Sequence, residues 1–97
     1  MILSGRDLLA HFTKRHANVR KAVTAWVAEV EQATWSSSHD VKLRYPTADP
    51  IGANRVVFDL KGNDYRLVVV IVYRAGAVDV RFIGTHADYD RIDATKV

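Results

Sequence analysis

Ninety-seven residues, 48% hydrophobic and 26% charged with only two prolines, describe a folded chain with room for one core, expected as a single domain over 1–97. The absence of cysteine excludes disulfide frameworks, thiol nucleophiles, iron–sulfur clusters and cysteine-type zinc sites. A core this small leaves no place for a large enclosed cofactor site, so no cofactor is expected. The net charge of +3 sits in residues 1–48, with seven Lys/Arg against four Asp/Glu, while 49–97 hold seven of each; phosphate attraction is only modestly favoured.

Ser4-Gly5-Arg6-Asp7 has capping-box spacing and predicts a short helix with Leu8, Leu9 and Phe12 inward. After a lapse at His16-Ala17, Asn18 is placed to cap a second helix. Val19, Ala22, Val23, Trp26, Val27, Val30 and Ala33 recur there at helical spacing, and the helix ends near Thr34-Trp35. Ser38 to Arg44 fits either a single helical turn or a short strand, because Val41, Leu43 and Tyr45 also alternate. Pro46 to Asn54 reads as a loop. The longest apolar run, Leu67 to Tyr73, is far short of the ~20 residues that span a bilayer, and no signal-peptide apolar region precedes Arg6. A cytoplasmic protein with no membrane contact is expected, in keeping with its lack of cysteine.

The second half predicts three strands, Arg55–Leu60, Tyr65–Arg74 and Ala77–Gly84, joined by tight turns at Gly62-Asn63 and Ala75-Gly76. The expected fold is therefore α+β, with two N-terminal helices packed on one face of a three-stranded, or with a further strand four-stranded, antiparallel sheet. Two-residue loops would put Asp59 opposite Arg66, Thr85 on the other side of Arg66, and Arg81 across from Val70. One face is then wholly apolar, from Val56 through Phe58 and Tyr73 to Phe82. The other carries a valine strip, Val57, Val68, Val70, Val72 and Ile83, flanked by charges and without an internal partner. His86, directly after the third strand, falls beside Arg66.

Asn63-Asp64-Tyr65-Arg66-Leu67 followed by Gly84-Thr85-His86-Ala87-Asp88-Tyr89-Asp90 resembles the HigB-type toxins of bacterial toxin–antitoxin pairs, part of the RelE-like group of messenger-RNA endonucleases. Ala33-Thr34-Trp35, Asp40-Val41-Lys42, Tyr45-Pro46 and Asn54-Arg55-Val56-Val57-Phe58 extend the resemblance over most of the chain. It implies a RelE-like fold and an endoribonuclease that cleaves messenger RNA, at the ribosome, by metal-free acid/base chemistry, inhibiting translation and growth. It also implies a neutralising helix-turn-helix antitoxin of the HigA kind. Of the lysine pair used in the wider group, only Lys61 is near.

That chemistry assigns roles to residue types. Arg66 and Arg81 suit the developing charge on phosphorus, because a guanidinium grips two phosphate oxygens in fixed geometry. Histidine, with a reference pKa near ~6.5, acts as base or acid close to neutrality, which makes His86 a candidate. Tyr89 suits base stacking or proton donation, with positioning favoured because an unperturbed phenol near ~10 is a poor base, and Lys61 completes the catalytic candidates. Lys14, Arg15, Arg20, Lys21, Lys42 and Arg44 are candidate contacts to RNA phosphates.

Structural roles compete with each of these. Arg66 with Asp59, and Arg81 with Asp79, are ordinary cross-strand or local ion pairs. His86 is placed to cap a helical turn, Tyr89 to pack a terminal helix, and the basic helix residues to face solvent. His86, Asp88 and Asp90 have the wrong spacing for a shared metal. An alternative reading is a non-catalytic binding module whose valine strip accepts a protein partner. A helix-turn-helix built from the first two helices is disfavoured because Trp26 and the valines make the second helix a core element.

Overall fold

A computed structural model describes residues 1–97. The chain runs β1 (Ile2–Ser4), α1 (Arg6–Arg15), a 3-10 turn, α2 (Arg20–Gln32), α3 (Ser38–Arg44), β2 (Asp49–Gly52), β3 (Arg55–Leu60), β4 (Tyr65–Val72), β5 (Ala77–Thr85) and α4 (His86–Tyr89). The strands form one five-stranded sheet in the order β1-β5-β4-β3-β2, with β1 parallel to β5 and the other pairs antiparallel.

The expected three- or four-stranded antiparallel sheet is thus corrected to a five-stranded mixed one. Both added strands are short edges that periodicity does not signal. β1 has three residues, and β2 carries Pro50 and Gly52, which read as loop formers although proline is tolerated on an edge strand. With β1 paired to β5, Ser4 belongs to a strand, and its hydroxyl donates to Asp79 Oδ1 at 2.8 Å instead of capping α1.

Gly5 takes the N-cap position with φ +82°, and a Cβ there would meet the Val80 carbonyl oxygen at 2.6 Å. Glycine alone lets the chain turn this closely over β5. In α2, Val23, Trp26 and Val30 face inward at helical spacing, as expected. Asn18 does not cap this helix; its side chain accepts a hydrogen bond from the Tyr65 hydroxyl at 2.8 Å. The undecided segment Ser38–Arg44 is helical, with Val41 fully buried and Asp40 accepting from the Ser36 amide and hydroxyl at 2.9 and 2.8 Å.

The main core lies between the helices and one sheet face, where Phe58 meets Trp26 and Tyr45 edge-on and stacks on Trp35. Register across β3–β4 matches the expectation, with Asp59 opposite Arg66. Across β4–β5 it does not. The connection is a 3-10 turn at Tyr73–Ala75 closed by left-handed Gly76, so Val70 pairs with Asp79 instead of Arg81, and Arg66 with Gly84 instead of Thr85.

A bulge opposite Val68 and Val69 makes Arg81 the extra residue of β5 and exchanges the two faces beyond it. Ile83 consequently packs on the helix-side core, while Phe82 joins Val57 and Val68 on the other face. That face has a partner after all. The C-terminal segment lays Ala94 on Val57 and Val68, with Tyr89, Ile92 and Val97 beside it, and Arg55 Nη2 donates to the Val97 carbonyl at 2.5 Å. Of the valine strip, Val72 remains exposed.

Candidate functional site

The β3–β4 turn and the start of α4 are tied together, because the His86 amide donates to the Asp64 carbonyl at 3.1 Å and Tyr65 pairs with Thr85. This brings His86 to Arg66. Thr85 closes the arrangement with a capping box: its hydroxyl accepts from the Asp88 amide at 3.1 Å, and Asp88 accepts from the Thr85 amide at 3.2 Å. The Thr85 amide first, and then the Thr85 hydroxyl, hold the Asp88 carboxyl below its ordinary pKa. The cap is therefore Thr85, which leaves the His86 ring free of that duty.

Arg66 is nearly buried, with 12% of its side chain exposed, and every donor is engaged. Nε meets Asp59 Oδ1 at 3.2 Å. Nη1 donates to the Asn63 and Tyr65 carbonyls at 3.1 and 3.4 Å, and Nη2 to the Asn63 side chain. Nη2 also lies 3.5 Å from His86 Nδ1. On the other side of that ring, Nε2 is 3.4 Å from Asp90 Oδ1. A guanidinium only donates and a carboxylate only accepts, so the neutral ring carries its proton on Nε2 and turns the Nδ1 lone pair towards Arg66. Asp90 thereby orients His86, a role that the sequence reading missed; its signal is the i,i+4 spacing of His86 and Asp90 on one helical turn.

Beside this group lies a shallow cleft of about 450 Å³ lined by Lys42, Thr47, Ala48, Asp49, Val57, Asp59, Arg66 and Tyr89. Tyr89 sits with its ring centroid 6.0 Å from the Arg66 guanidinium carbon. Burial, and then the Asp49 carboxylate, raise the Tyr89 phenol above its ordinary pKa, so it stays protonated and able to donate. Two other concavities, one around Trp35 and Arg44 and one around Met1 and Tyr73, hold neither Arg66 nor Tyr89.

Of the five catalytic candidates, the structure gathers Arg66, His86 and Tyr89. Arg81 is displaced by the bulge, stands exposed, and bonds Asp79 at 3.3 Å. Lys61 occupies the exposed β3–β4 turn and does not line the cleft. Among the basic candidates, Lys42 lines the cleft; Lys14, Arg15, Arg20 and Lys21 are exposed on or near α1 and α2, outside it. Arg20 donates to the Thr13 carbonyl, and Arg44 is paired with Glu29 and lies over the Tyr45 ring.

Fold and cleft together define a small α+β protein with an open, shallow site in which a fixed guanidinium adjoins an oriented imidazole. A family model described as HigB_toxin, the RelE-like toxic component of a toxin-antitoxin system, matches residues 19–92. The chain belongs to the HigB toxin family, and a toxin of such a pair has an antitoxin as its partner. The matched stretch contains every residue of the cleft together with His86 and Asp90, while Lys14 and Arg15 fall before it. No curated protein matches the chain. No helix is long and apolar enough to cross a membrane.

Proposed function

We propose that this toxin is an endoribonuclease that cleaves messenger RNA at the ribosome by acid–base chemistry without a metal, so stopping translation and growth. The whole chain acts as one toxin domain, and its antitoxin is a helix-turn-helix protein of the HigA kind. The observation that carries the reading is the approach of His86 Nδ1 to within 3.5 Å of the Arg66 guanidinium, beside an open cleft.

In the proposed reaction the ribose 2′-oxygen attacks the adjacent phosphorus and the bond from phosphorus to the 5′-oxygen breaks. The products are a 2′,3′-cyclic phosphate and a 5′-hydroxyl. His86 Nδ1, held only by the long 3.5 Å contact from Arg66, is suited to exchange that contact for the 2′-hydroxyl and take its proton. Tyr89, held as a phenol, offers both a ring for a base to stack on and an O–H donor near the leaving oxygen. Arg66 supplies fixed positive charge beside the reacting phosphate.

A cleft of about 450 Å³ takes only a small part of an RNA chain, which suits a messenger already positioned by the ribosome. Induced expression tests the reading: wild type should arrest growth and produce new messenger 5′ ends, while His86→Gln and Arg66→Ala should do neither. If both variants arrest growth as wild type does, the site lies elsewhere.

A further inference from the structure

The charges around the cleft do not balance as the sequence suggests. Arg66 is the obvious phosphate ligand, yet Asp59 neutralises it and Asn63, Tyr65 and His86 take its remaining donors. Asp49, which lines the same cleft, has no ion-pair partner. Without a further cation the cleft would hold two carboxylates against one occupied guanidinium and would repel a phosphodiester.

Lys42 is that cation. It projects from α3, and its ammonium donates only to the Ala48 carbonyl, at 3.2 Å. An ammonium has three donors, so two remain for a ligand. The Ala48 contact fixes the head group at the rim of the same cleft that Arg66 and Tyr89 line.

We infer that Lys42 is the residue that binds a phosphate of the RNA in this cleft, and that Arg66 acts behind it by holding His86 and lending charge. The inference rests on the ribonuclease reading for its substrate. It differs from the other basic candidates in kind: those outside the cleft would add general attraction to RNA, whereas Lys42 would hold one defined phosphate.

Lys42→Met and Lys42→Arg separate the possibilities. Lys42 is exposed and makes one hydrogen bond, so both variants should melt close to wild type. Binding of a 2′-O-methyl RNA oligonucleotide, which cannot be cleaved, is measured against salt concentration. Loss of one phosphate contact should lower the magnitude of the log–log slope by about 0.7 in Lys42→Met, and Lys42→Arg should restore it. Cleavage of a defined messenger in a translation reaction should fall by about 10²-fold in Lys42→Met, as for the loss of one charge-stabilising donor. An unchanged salt slope in Lys42→Met overturns the assignment, whatever the cleavage result. Failure of wild type to generate new 5′ ends overturns the ribonuclease reading instead.

Discussion

Arg66 Nη2 and His86 Nδ1 lie 3.5 Å apart although twenty residues separate them, because β4 and β5 pair as neighbours and the His86 amide is bonded to the β3–β4 turn. The same guanidinium is also held by Asp59 and Asn63. Arg66→Lys tests whether the fork or only the charge matters. A lysine keeps the charge but cannot meet Asp59, Asn63 and His86 at once. We expect a loss of about 1–3 kcal/mol in urea unfolding, from partly buried groups left unpaired, together with loss of growth arrest. Full toxicity in Arg66→Lys would reduce Arg66 to a source of charge.

The imidazole offers a second test, since Asp90 touches His86 and not the cleft. His86→Gln should lower the cleavage rate by about 10²- to 10⁴-fold, the usual worth of a general acid or base. Asp90→Asn should lower kcat by a smaller factor at unchanged KM, because the amide can still contact Nε2 but no longer selects the tautomer. Asp90→Glu should recover part of that loss. A change confined to KM would contradict a positioning role for Asp90.

Much of this site follows from one tight turn. The Gly62-Asn63 turn places Asp59 opposite Arg66, and the end of the third predicted strand places His86 beside it, as found. The other turn misleads, because Tyr73–Ala75 winds into a 3-10 turn and a bulge at Arg81 then alters the register. Two small local events carry Arg81 away from the site and exchange the environments of Phe82 and Ile83. Neither has a periodic signature in sequence. Lys42 is legible in the sequence only as one of six basic candidates; its place in the cleft with Arg66 depends on α3, a segment that fits two conformations, and on β2, a strand written as Asp-Pro-Ile-Gly that reads as a loop.

The capping box beneath His86 predicts a pH dependence. The Asp88 carboxyl is held low, chiefly by the Thr85 amide, so its stabilising effect is present above the ordinary carboxylate value of ~3.9 and is lost as pH falls through the lowered folded value. Thr85→Ala should cost about 0.5–2 kcal/mol near neutral pH, as for other lost N-caps. Asp88→Asn lacks the titrating group, so its deficit relative to wild type should shrink on acidification from pH ~5 to ~2. Thermal melting across that range measures the gap, and a constant gap would show that Asp88 is not linked to folding.

The C-terminal segment gives the last prediction, because it both covers the second sheet face and carries Tyr89 into the cleft. Ala94 is 9% exposed against Val57 and Val68, and the Arg55 bond to the Val97 carbonyl fastens the end. Ala94→Asp would bury a carboxylate among valines. The cost is capped at the free energy of undocking the segment, about 1–3 kcal/mol, since peeling away rehydrates the charge. The helix-side core is separate from this cluster, so far-UV circular dichroism should remain near wild type. Trypsin should then cut after the exposed Arg91 faster than in wild type, and messenger cleavage should fall as Tyr89 loses its support. Arg55→Met should give the same pattern more weakly. Unaltered proteolysis at Arg91 in Ala94→Asp would mean that the segment is held by something other than its contacts with Val57 and Val68.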